Sequence, residues 1–528
     1  MAAVTNLVNL DALIQRADLA APGEMGEDIS AMSIMGLEPR GLLYPALRKP
    51  DFQRETSNWT PDQVADLIAT FVRRDLIPAV ILWRAGTNVF VIDGAHRLSA
   101  LIAWVHNDYG DGEVSRRFFQ NSIPEEQLRA AARARELIKV AIGSYEDHKI
   151  ALDFPNNSRP DVVERAARIG WVDIPAQWIR NADHEKAEKA FFRINQGGMK
   201  IDAVERRILS SRNSATAISA RAILRGGTGH NYWKSFTPEV RADIENLGRE
   251  VRGLLFEPPI SLPIKTLDLP VGGSGYGAKV LPFVFDLVTV VNNVAVKDSS
   301  NKRSNLEDDL PADGDGTQTV EYLSRVRDLL RRICSTHPSS LGLHPALYFY
   351  GRSGAFQPTA LLTFAAMFGG WNTDKYIKFT RNRAAFEEFI SGNGAITEAV
   401  RRLGSGARSR PRLISLYSKV IDGLANSQRL ETLVQQLADD PSYSFLINPA
   451  QDDFLLADDA PSSFTRDQKG AAFIRDALAT APKCPTCGGL MHRNGMQVGH
   501  IKARREGGLA NIENAYMQHP FCNSTYAN

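Results

Sequence analysis

The sequence predicts a multidomain protein of the α+β class. At 528 residues the chain is too long for one ordinary hydrophobic core, so it should divide into several domains. Strand and helix patterns alternate in the N-terminal third, helical periodicity dominates the middle, and closely spaced cysteines and histidines end the chain. These observations predict an α/β N-terminal domain, a largely helical middle and a small metal-stapled C-terminal domain.

We expect four regions along the chain. They are an N-terminal arm at residues 1–41, an α/β domain at 42–212, a helical spacer at 213–470 and a small domain at 471–528. Residues 295–318 are rich in Ser, Asn, Asp and Gly, which predicts a disordered loop in the spacer. The arm holds a short amphipathic segment without chemical motifs, so we expect it to act as a docking arm.

The bulk composition is that of a globular protein, with 43% hydrophobic and 23% charged residues. A formal net charge of +2 excludes a globally basic protein, so any nucleic-acid surface has to be local. Three of the four cysteines lie near the C-terminus and Cys334 stands alone, which argues against a disulfide framework. The sequence lacks a signal peptide and any apolar run of the ~20 residues that a membrane span needs. We therefore expect a cytoplasmic protein without membrane contact.

The α/β domain centres on a strand, a tight turn and a helix. Val89–Ile92 is the expected strand and Asp93-Gly94 the turn, so His96 and Arg97 fall in the first turn of the helix. Free backbone N–H groups and the helix dipole favour an anion there. Two interpretations remain open. Either His96 and Arg97 bind an anion while Asp93 holds a metal or a sugar hydroxyl, or an N-cap aspartate is followed by two solvated polar residues.

Two further patterns flank this unit. Thr60-Pro61 with Gln63 predicts a capping box at the start of an earlier helix. Residues 171–198 predict a second strand and a helix that ends at Asn195.

Three motifs then occur in the order found in the N-terminal domain of GmrSD-type restriction proteins: F-Q-R, V-I-D-G-A-H-R-L and F-F-R-I-N-Q-G-G. Residues 42–212 resemble that domain, which is related to the ParB/sulfiredoxin fold. The resemblance implies a ParB-like domain that binds and hydrolyses a nucleotide (GTP, ATP or CTP) and couples this to recognition of modified DNA. Ala95 and His96 replace the two glutamines of the usual D-G-Q-Q-R. This replacement weakens the expectation of nucleotide hydrolysis more than that of phosphate binding. The implied nucleotide or phosphate contacts are Gln53, Arg54, Asp93, Gly94, His96, Arg97 and Asn195.

The C-terminal segment contains two ligand pairs of equal spacing. Cys484 and Cys487 form a C-x-x-C knuckle, and His519 and Cys522 repeat the spacing. Three thiolates and one imidazole suit a tetrahedral structural Zn²⁺. Between the pairs, residues 491–498 predict a hairpin with a type I′ turn at Asn494-Gly495.

This segment resembles the zinc-stapled HNH endonucleases of the ββα-metal kind, through C-x-x-C, V-G-H-I, the Gly-Gly turn, I-E-N and H-P-F-C-N. The resemblance implies that His500 is the general base, Asn514 a structural residue that pins the loop, and Asn523 a ligand of a catalytic Mg²⁺ or Mn²⁺. Such chemistry needs a proton acceptor on the attacking water and a cation beside the developing phosphorane charge. Gly499 departs from the family, which usually has a metal ligand before the catalytic histidine. One ligand must then come from elsewhere or be water.

The helical middle offers no motif of comparable strength. Residues 272–279, G-G-S-G-Y-G-A-K, lack the Gly-Lys-Ser/Thr ending of a P-loop. Arginines between residues 401 and 412 surround glycines and a proline, which predicts a flexible basic loop. Phosphate contacts and a solvated surface remain alternative interpretations of that loop.

Together these patterns predict an anti-phage, modification-dependent DNA endonuclease of the GmrSD and SspE kind, with sensor, spacer and HNH nuclease on one chain. The defence role rests on the pairing of domains. Expected partners are modified or phage DNA and a nucleotide, and homo-oligomerisation stays open. Three alternatives remain: a homing or mobile-element HNH nuclease, a non-catalytic zinc-containing DNA-binding regulator, and a ParB-like nucleotide switch that uses the HNH module as a clamp.

Overall fold

The structure, a computed structural model, confirms the predicted α+β class. A sheet lies in the N-terminal region, helices fill the middle, and a small two-stranded domain with a Cys/His cluster follows. The described residues are 7–17, 29–50, 59–121, 123–170, 172–180, 182–195, 203–228, 232–260, 263–277, 279–295, 310–351, 354–392, 406–443 and 463–526.

A five-stranded sheet organises the N-terminal region. Its strands are β1 (Ala31–Ser33), β2 (Leu47–Arg48), β3 (Val80–Ala85), β4 (Asn88–Asp93) and β5 (Asp173–Trp178), in the order β1-β5-β3-β4-β2. The β3–β4 hairpin is antiparallel, β5 runs parallel to β3, and β2 runs parallel to β4. Strand β1 closes the other edge, antiparallel to β5.

The predicted strand, turn and helix are present at the centre of this sheet. Strand β4 ends at Asp93, and helix α2 begins at Ala95. Gly94 between them has a φ of 90°, and a Cβ there would lie 2.7 Å from Val80 Cγ1. Only glycine can adopt this φ and avoid that collision at low cost, which explains why glycine occupies this tight turn.

The N-terminal core also takes in the arm and the first helix. Leu10, Leu13 and Ile14 of the arm are buried within it. The predicted capping box is present, with Thr60 Oγ1 accepting a hydrogen bond from the Gln63 N–H at 3.2 Å. Helices of this region are α1 (Pro61–Arg73), α2 (Ala95–His106), α3 (Glu113–Phe118), α4 (Glu125–Ala141), α5 (Tyr145–Asp153), α6 (Pro160–Ile169), α7 (His184–Asn195) and α8 (Ala203–Ser210).

The helical middle is built around one large apolar core. Its α12 buries Leu323, Val326, Leu330 and Ile333, as the helical period predicts. The helices are α9 (Ala215–Leu224), α10 (Pro238–Phe256), α11 (Val280–Val291), α12 (Thr317–Ile333), α13 (Pro345–Tyr348), α14 (Pro358–Gly369), α15 (Thr373–Arg381), α16 (Arg383–Gly392), α17 (Gly406–Ala425), α18 (Leu430–Asp439) and α19 (Arg466–Thr480).

Two loops were predicted in this middle region. Residues 296–309 of the polar segment lie outside the described residues, whereas Asp313 accepts hydrogen bonds from the N–H groups of Gly316 and Thr319 at the start of α12. The basic-loop prediction is wrong from residue 406 onward, because α17 begins there and carries the later arginines. Residues 401–405 lie outside the described residues.

The C-terminal domain contains strands β6 (Gln497–His500) and β7 (Ala515–Gln518), followed by α20 (Pro520–Tyr526). The strands pair with each other in antiparallel register across the loop of residues 501–514.

The hairpin predicted at residues 491–498 is wrong. Asn494-Gly495 lies instead in a 3₁₀ turn, where His492 Nδ1 accepts a hydrogen bond from the Asn494 N–H at 3.3 Å. Gly495 packs against the helical region so closely that a Cβ on it would lie 2.5 Å from Gly342 Cα. Tertiary packing therefore overrides the local turn preference.

This domain is docked on the helical core. Phe521 of α20 and Ile474 of α19 belong to that core, and the Phe521 N–H donates to the Ser340 carbonyl at 2.8 Å. The two C-terminal strands and the Cys/His cluster are thereby held against the ends of α12 and α16.

Candidate functional site

Four buried side chains form a compact cluster in the C-terminal domain. The ligand atoms of Cys484, Cys487, His519 and Cys522 all lie within 4.8 Å of one another, and each side chain is at most 8% exposed. Around a tetrahedral zinc with 2.3 Å bonds, neighbouring sulfur atoms stand ~3.8 Å apart, so the cluster needs little contraction. The structure brings together all four residues that their spacing in the sequence singled out.

Hydrogen bonds prepare this cluster for a cation. His519 Nε2 lies 3.0 Å from the Leu490 carbonyl oxygen, which can only accept, so Nε2 carries the proton and Nδ1 is left to face the Cys487 sulfur at 3.3 Å. Hydrogen bonds from Cys487 and then Cys522 lower the pKa of the Cys484 thiol. The cluster thus has the composition, dimensions and tautomer of a structural zinc site.

His500 ends strand β6, at the end of the β6–β7 hairpin away from His519. It pairs in register with Ala515, and its side chain is half-buried. Within the described part of the chain, its Nε2 is buried without a hydrogen-bond partner. A buried imidazole nitrogen in this state is available to accept a proton or to hold a water molecule.

Asn514 closes the loop that follows His500. Its Oδ1 accepts from the Lys502 N–H at 2.7 Å, and its Nδ2 donates to the carbonyls of Lys502 at 3.1 Å and Leu509 at 2.8 Å. The Ile501 N–H in turn donates to the Asn514 carbonyl at 2.9 Å. These bonds tie both ends of the loop together and fix the backbone on the C-terminal side of His500.

Asn523 lies on α20 in a network of amide side chains. Its Oδ1 accepts from Gln518 Nε2 at 3.0 Å, and its Nδ2 donates to Gln497 Oε1 at 3.3 Å. Gln518 is fully buried, and its Oε1 accepts from the Thr486 hydroxyl at 2.8 Å. A hydrogen-bonded chain therefore joins the C-x-x-C knuckle to Asn523.

The sequence patterns did not single out Gln518. It precedes the His519 ligand and faces Gln497 across the hairpin. The sequence pointed to Gln518 only indirectly. Gly499 stands where a metal ligand was expected, so the missing ligand had to come from another residue or from water.

In the N-terminal domain the structure places four predicted residues around one helix start. Arg97 donates to Asp93 Oδ2 at 2.6 Å and approaches the Ala79 carbonyl at 3.4 Å. The His96 ring stacks on Trp59, with the ring centroids 5.6 Å apart. Gly94 brings the backbone close to the Arg97 guanidinium. Cation, imidazole and backbone N–H groups thus converge at the start of α2.

Three further nucleotide or phosphate contacts were predicted. Gln53 and Arg54 lie outside the described residues. Asn195 is the last residue of α7.

Residues 38–211 match the family model of the GmrSD restriction endonuclease, N-terminal domain, which covers about a third of the chain. Residues 38–211 are therefore similar to the N-terminal domain of GmrSD restriction endonucleases. This family supports a nuclease-type enzyme and implies DNA as the substrate. No curated protein and no solved structure matches the chain significantly. In the described part of the chain, no helix combines the length and apolar character of a membrane span.

Proposed function

We propose that this protein is a modification-dependent, anti-phage DNA endonuclease whose C-terminal domain is an HNH nuclease. The N-terminal domain reads DNA or a nucleotide, and the C-terminal domain hydrolyses phosphodiester bonds. The proposal combines the GmrSD-type match at residues 38–211 with the chemistry of a separate C-terminal site.

The observation that carries the proposal is the unpartnered His500. His500 ends strand β6, and its Nε2 is buried without a hydrogen-bond partner among the described residues. The paired strand β7 leads directly into the Cys/His cluster. Buried polar atoms normally have partners, and an imidazole that lacks one fits a group that engages a ligand. A zinc staple explains how so small a domain can hold the nitrogen in place.

In this mechanism His500 Nε2 accepts the proton of the attacking water. Asn514 holds the backbone of Lys502 and so fixes the loop that follows His500. Asn523 Oδ1 is a hard oxygen donor, which fits a divalent Mg²⁺ or Mn²⁺. Asn523 would hold such a cation, which would stabilise the charge that develops on the phosphate in the transition state.

In this proposal the site at the start of α2 binds a phosphate. Arg97 and His96, with the first N–H groups of α2, offer the donors that a nucleotide or DNA phosphate needs. Asp93 holds Arg97 at 2.6 Å, so phosphate binding exchanges one anionic partner for another. The bound nucleotide is GTP, ATP or CTP in this proposal.

A cleavage assay tests the nuclease function. Wild-type protein and His500→Ala are compared on modified and unmodified phage DNA, with and without nucleotide and with Mg²⁺ or Mn²⁺. We expect wild type to cut modified DNA, and His500→Ala to lose about 10²–10⁴ in rate while it still binds DNA. Equal cutting by both proteins, or none by wild type under every condition, contradicts the proposal.

A second candidate function is a non-catalytic, zinc-containing DNA-binding module. It is favoured by the amide network, because Gln518 and Gln497 already engage both ends of the Asn523 side chain. In this case the C-terminal domain retains zinc and DNA affinity, and no cation activates cleavage.

A further inference from the structure

A cavity of about 100 Å³ lies where the N-terminal domain meets the helical middle. Asn9 of the arm and Gln127 of α4 line it from one side, and Leu224 of α9 and Arg252 of α10 line it from the other. A single water molecule needs about 10–15 Å³, so the cavity has room for a group of several non-hydrogen atoms. The described residues around the start of α2 do not line it, so it is separate from the phosphate site proposed there.

Part of the glycine-rich run at residues 272–279 forms one wall of this cavity. Gly275 and Tyr276 line it. A Cβ on Gly275 would lie 2.9 Å from Phe256 Cγ, so the backbone packs directly on that ring. The Tyr276 hydroxyl donates to Gln127 Oε1 on α4. These contacts tie the wall to the helical core and to the N-terminal domain at once.

Arg252 brings a positive charge into the cavity. Its Nη1 donates to the Leu224 carbonyl, and its guanidinium carbon lies 5.5 Å from the centre of the Phe256 ring. Within the described part of the chain Arg252 forms no ion pair, and none of its nitrogens is both buried and unpartnered. The nitrogens that do not bond to Leu224 are therefore accessible to a ligand.

The fold compensates the charge of Arg252 only in part. Burial lowers the pKa of Arg252, although the carboxylates of Glu257 and Glu126 act to raise it. The cost of burying the guanidinium therefore exceeds the stabilisation that these two carboxylates supply, and an anion in the cavity would reduce that cost. Arg225, the other arginine that lines the cavity, already pairs with Asp11 at 2.7 Å.

The start of helix α4 lines the same cavity. Pro124 and Gln127 both contribute to the lining, and Pro124, at the N-cap position, has no side chain that can cap the helix. The first N–H groups of a helix and its dipole favour an anion at this end. Arg252 and this helix start can together bind more than two oxygens of one anion, which fits a phosphate better than a carboxylate.

Apolar side chains complete the lining. Phe119 and Ile123 lie between α3 and α4, and Leu224 faces the cavity from α9. The Phe119 side chain is only half-buried, so its ring can pack against an organic group. A guanidinium beside an apolar wall suits an anion that carries an apolar body.

We propose that this cavity binds a small phosphomonoester, with the phosphate on Arg252 and the start of α4 and the organic group against Phe119. Such a ligand contacts the N-terminal domain and the helical middle together, so its binding stabilises their junction by mass action. His500 and the Cys/His cluster do not line the cavity, so the site exists whether or not the C-terminal domain cuts DNA.

Isothermal titration with phenyl phosphate tests the role of Arg252. Full-length, zinc-loaded protein is used in an Arg97→Ala background, so that the proposed site at the start of α2 does not contribute. We expect Arg252→Met to bind phenyl phosphate at least tenfold more weakly, because its charge-assisted hydrogen bonds to the phosphate are lost. Arg249→Met is the matched control, since it removes the same charge from an exposed position of α10 and should change nothing.

Two further titrations test the ligand class. Phe119→Ala should weaken the binding of phenyl phosphate and leave that of inorganic phosphate unchanged, because only the ester carries a ring. Benzoate, which has a ring and a carboxylate, should bind more weakly than phenyl phosphate.

The outcomes are read as binding, so they do not depend on cleavage. Absence of phenyl phosphate binding at millimolar concentrations, or equal binding with and without Arg252→Met, overturns the proposal. Tighter binding of benzoate than of phenyl phosphate would assign the cavity to carboxylates and overturn it too. Should Arg252→Met not fold, as judged by zinc content and thermal unfolding, the effect of Phe119→Ala on phenyl phosphate relative to inorganic phosphate decides.

Discussion

The Glu387 carboxylate accepts a hydrogen bond from the backbone N–H of Leu490 at 2.6 Å. The first residue belongs to helix α16 and the second to the C-terminal domain. The other Glu387 oxygen takes hydrogen bonds from Arg383 at 2.7 Å and from the Tyr348 hydroxyl at 3.0 Å. Arg383 also donates to the carbonyls of Leu341 and Gly342. A buried ion pair thus fastens the Cys/His-containing domain to the helices.

Removing one partner of this pair should loosen the domain. Arg383→Met leaves the Glu387 carboxylate buried without its cation, because the two side chains are 1% and 6% exposed. Such losses typically cost about 3–5 kcal/mol. We expect a lower midpoint of urea unfolding and faster loss of zinc to a chelator. Lys419→Met, which breaks the exposed pair with Asp440, is the matched control and should cost under about 1 kcal/mol. Equal effects of the two substitutions would show that the buried pair does not hold the domain.

Zinc should be required for the C-terminal domain and dispensable for the N-terminal domain. The Cys484, Cys487, Met491 and Cys522 side chains form a small core of their own, apart from the N-terminal core. Cys484→Ser should therefore unfold the C-terminal domain and leave residues 42–212 folded, because metal binding supplies the folding free energy of so small a unit. Elemental analysis should give one zinc per wild-type chain, and limited proteolysis should release an intact N-terminal domain from the variant. A wild-type preparation without zinc would contradict this prediction.

Gly499→Asp should reduce cleavage, although it introduces the ligand type usual in the family. The new Cβ would lie 2.0 Å from Gln518 Nε2 in a fully buried site. The double variant Gly499→Asp with Gln518→Ala removes the collision, and we expect it to recover activity relative to Gly499→Asp. Cleavage rates at matched Mn²⁺ concentrations measure both effects. Unimpaired cutting by the single variant would mean that the Gln518 side chain moves aside at little cost.

Arg97→Ala should weaken nucleotide binding by roughly ten- to a hundredfold, since a charge-assisted hydrogen bond contributes about 1.5–3 kcal/mol. Isothermal titration with GTP, ATP and CTP measures the change. Arg117→Ala is the control, because Arg117 forms an exposed pair with Glu113 on the neighbouring helix α3. Unchanged nucleotide affinity and unchanged DNA discrimination in Arg97→Ala would leave the motif as a capped helix start.

The sequence predicted those parts of the molecule whose causes are local. Thr60 and Gln63 lie three residues apart and cap their helix wherever it packs. Likewise, the ligand pairs of the Cys/His cluster are each set by a short spacing.

Contacts between residues that lie far apart in the sequence were not predicted. Asn494-Gly495 has a strong turn preference, yet packing against Gly342 imposes a different backbone. Gln518 reaches its corner only because two strands and a helix meet there. The hydrogen bond from the Leu490 N–H to Glu387 likewise joins residues 103 positions apart in the sequence.

Phe521 lies one residue before the Cys522 ligand and is 6% exposed within the helical core. The C-terminal domain therefore depends on its contacts with the helical core. A fusion that transplanted residues 471–528 alone would carry an uncovered aromatic ring and a severed bond to Ser340. Engineers who wish to move the C-terminal domain, the proposed nuclease, to another protein should transfer helices α12 to α16 along with it.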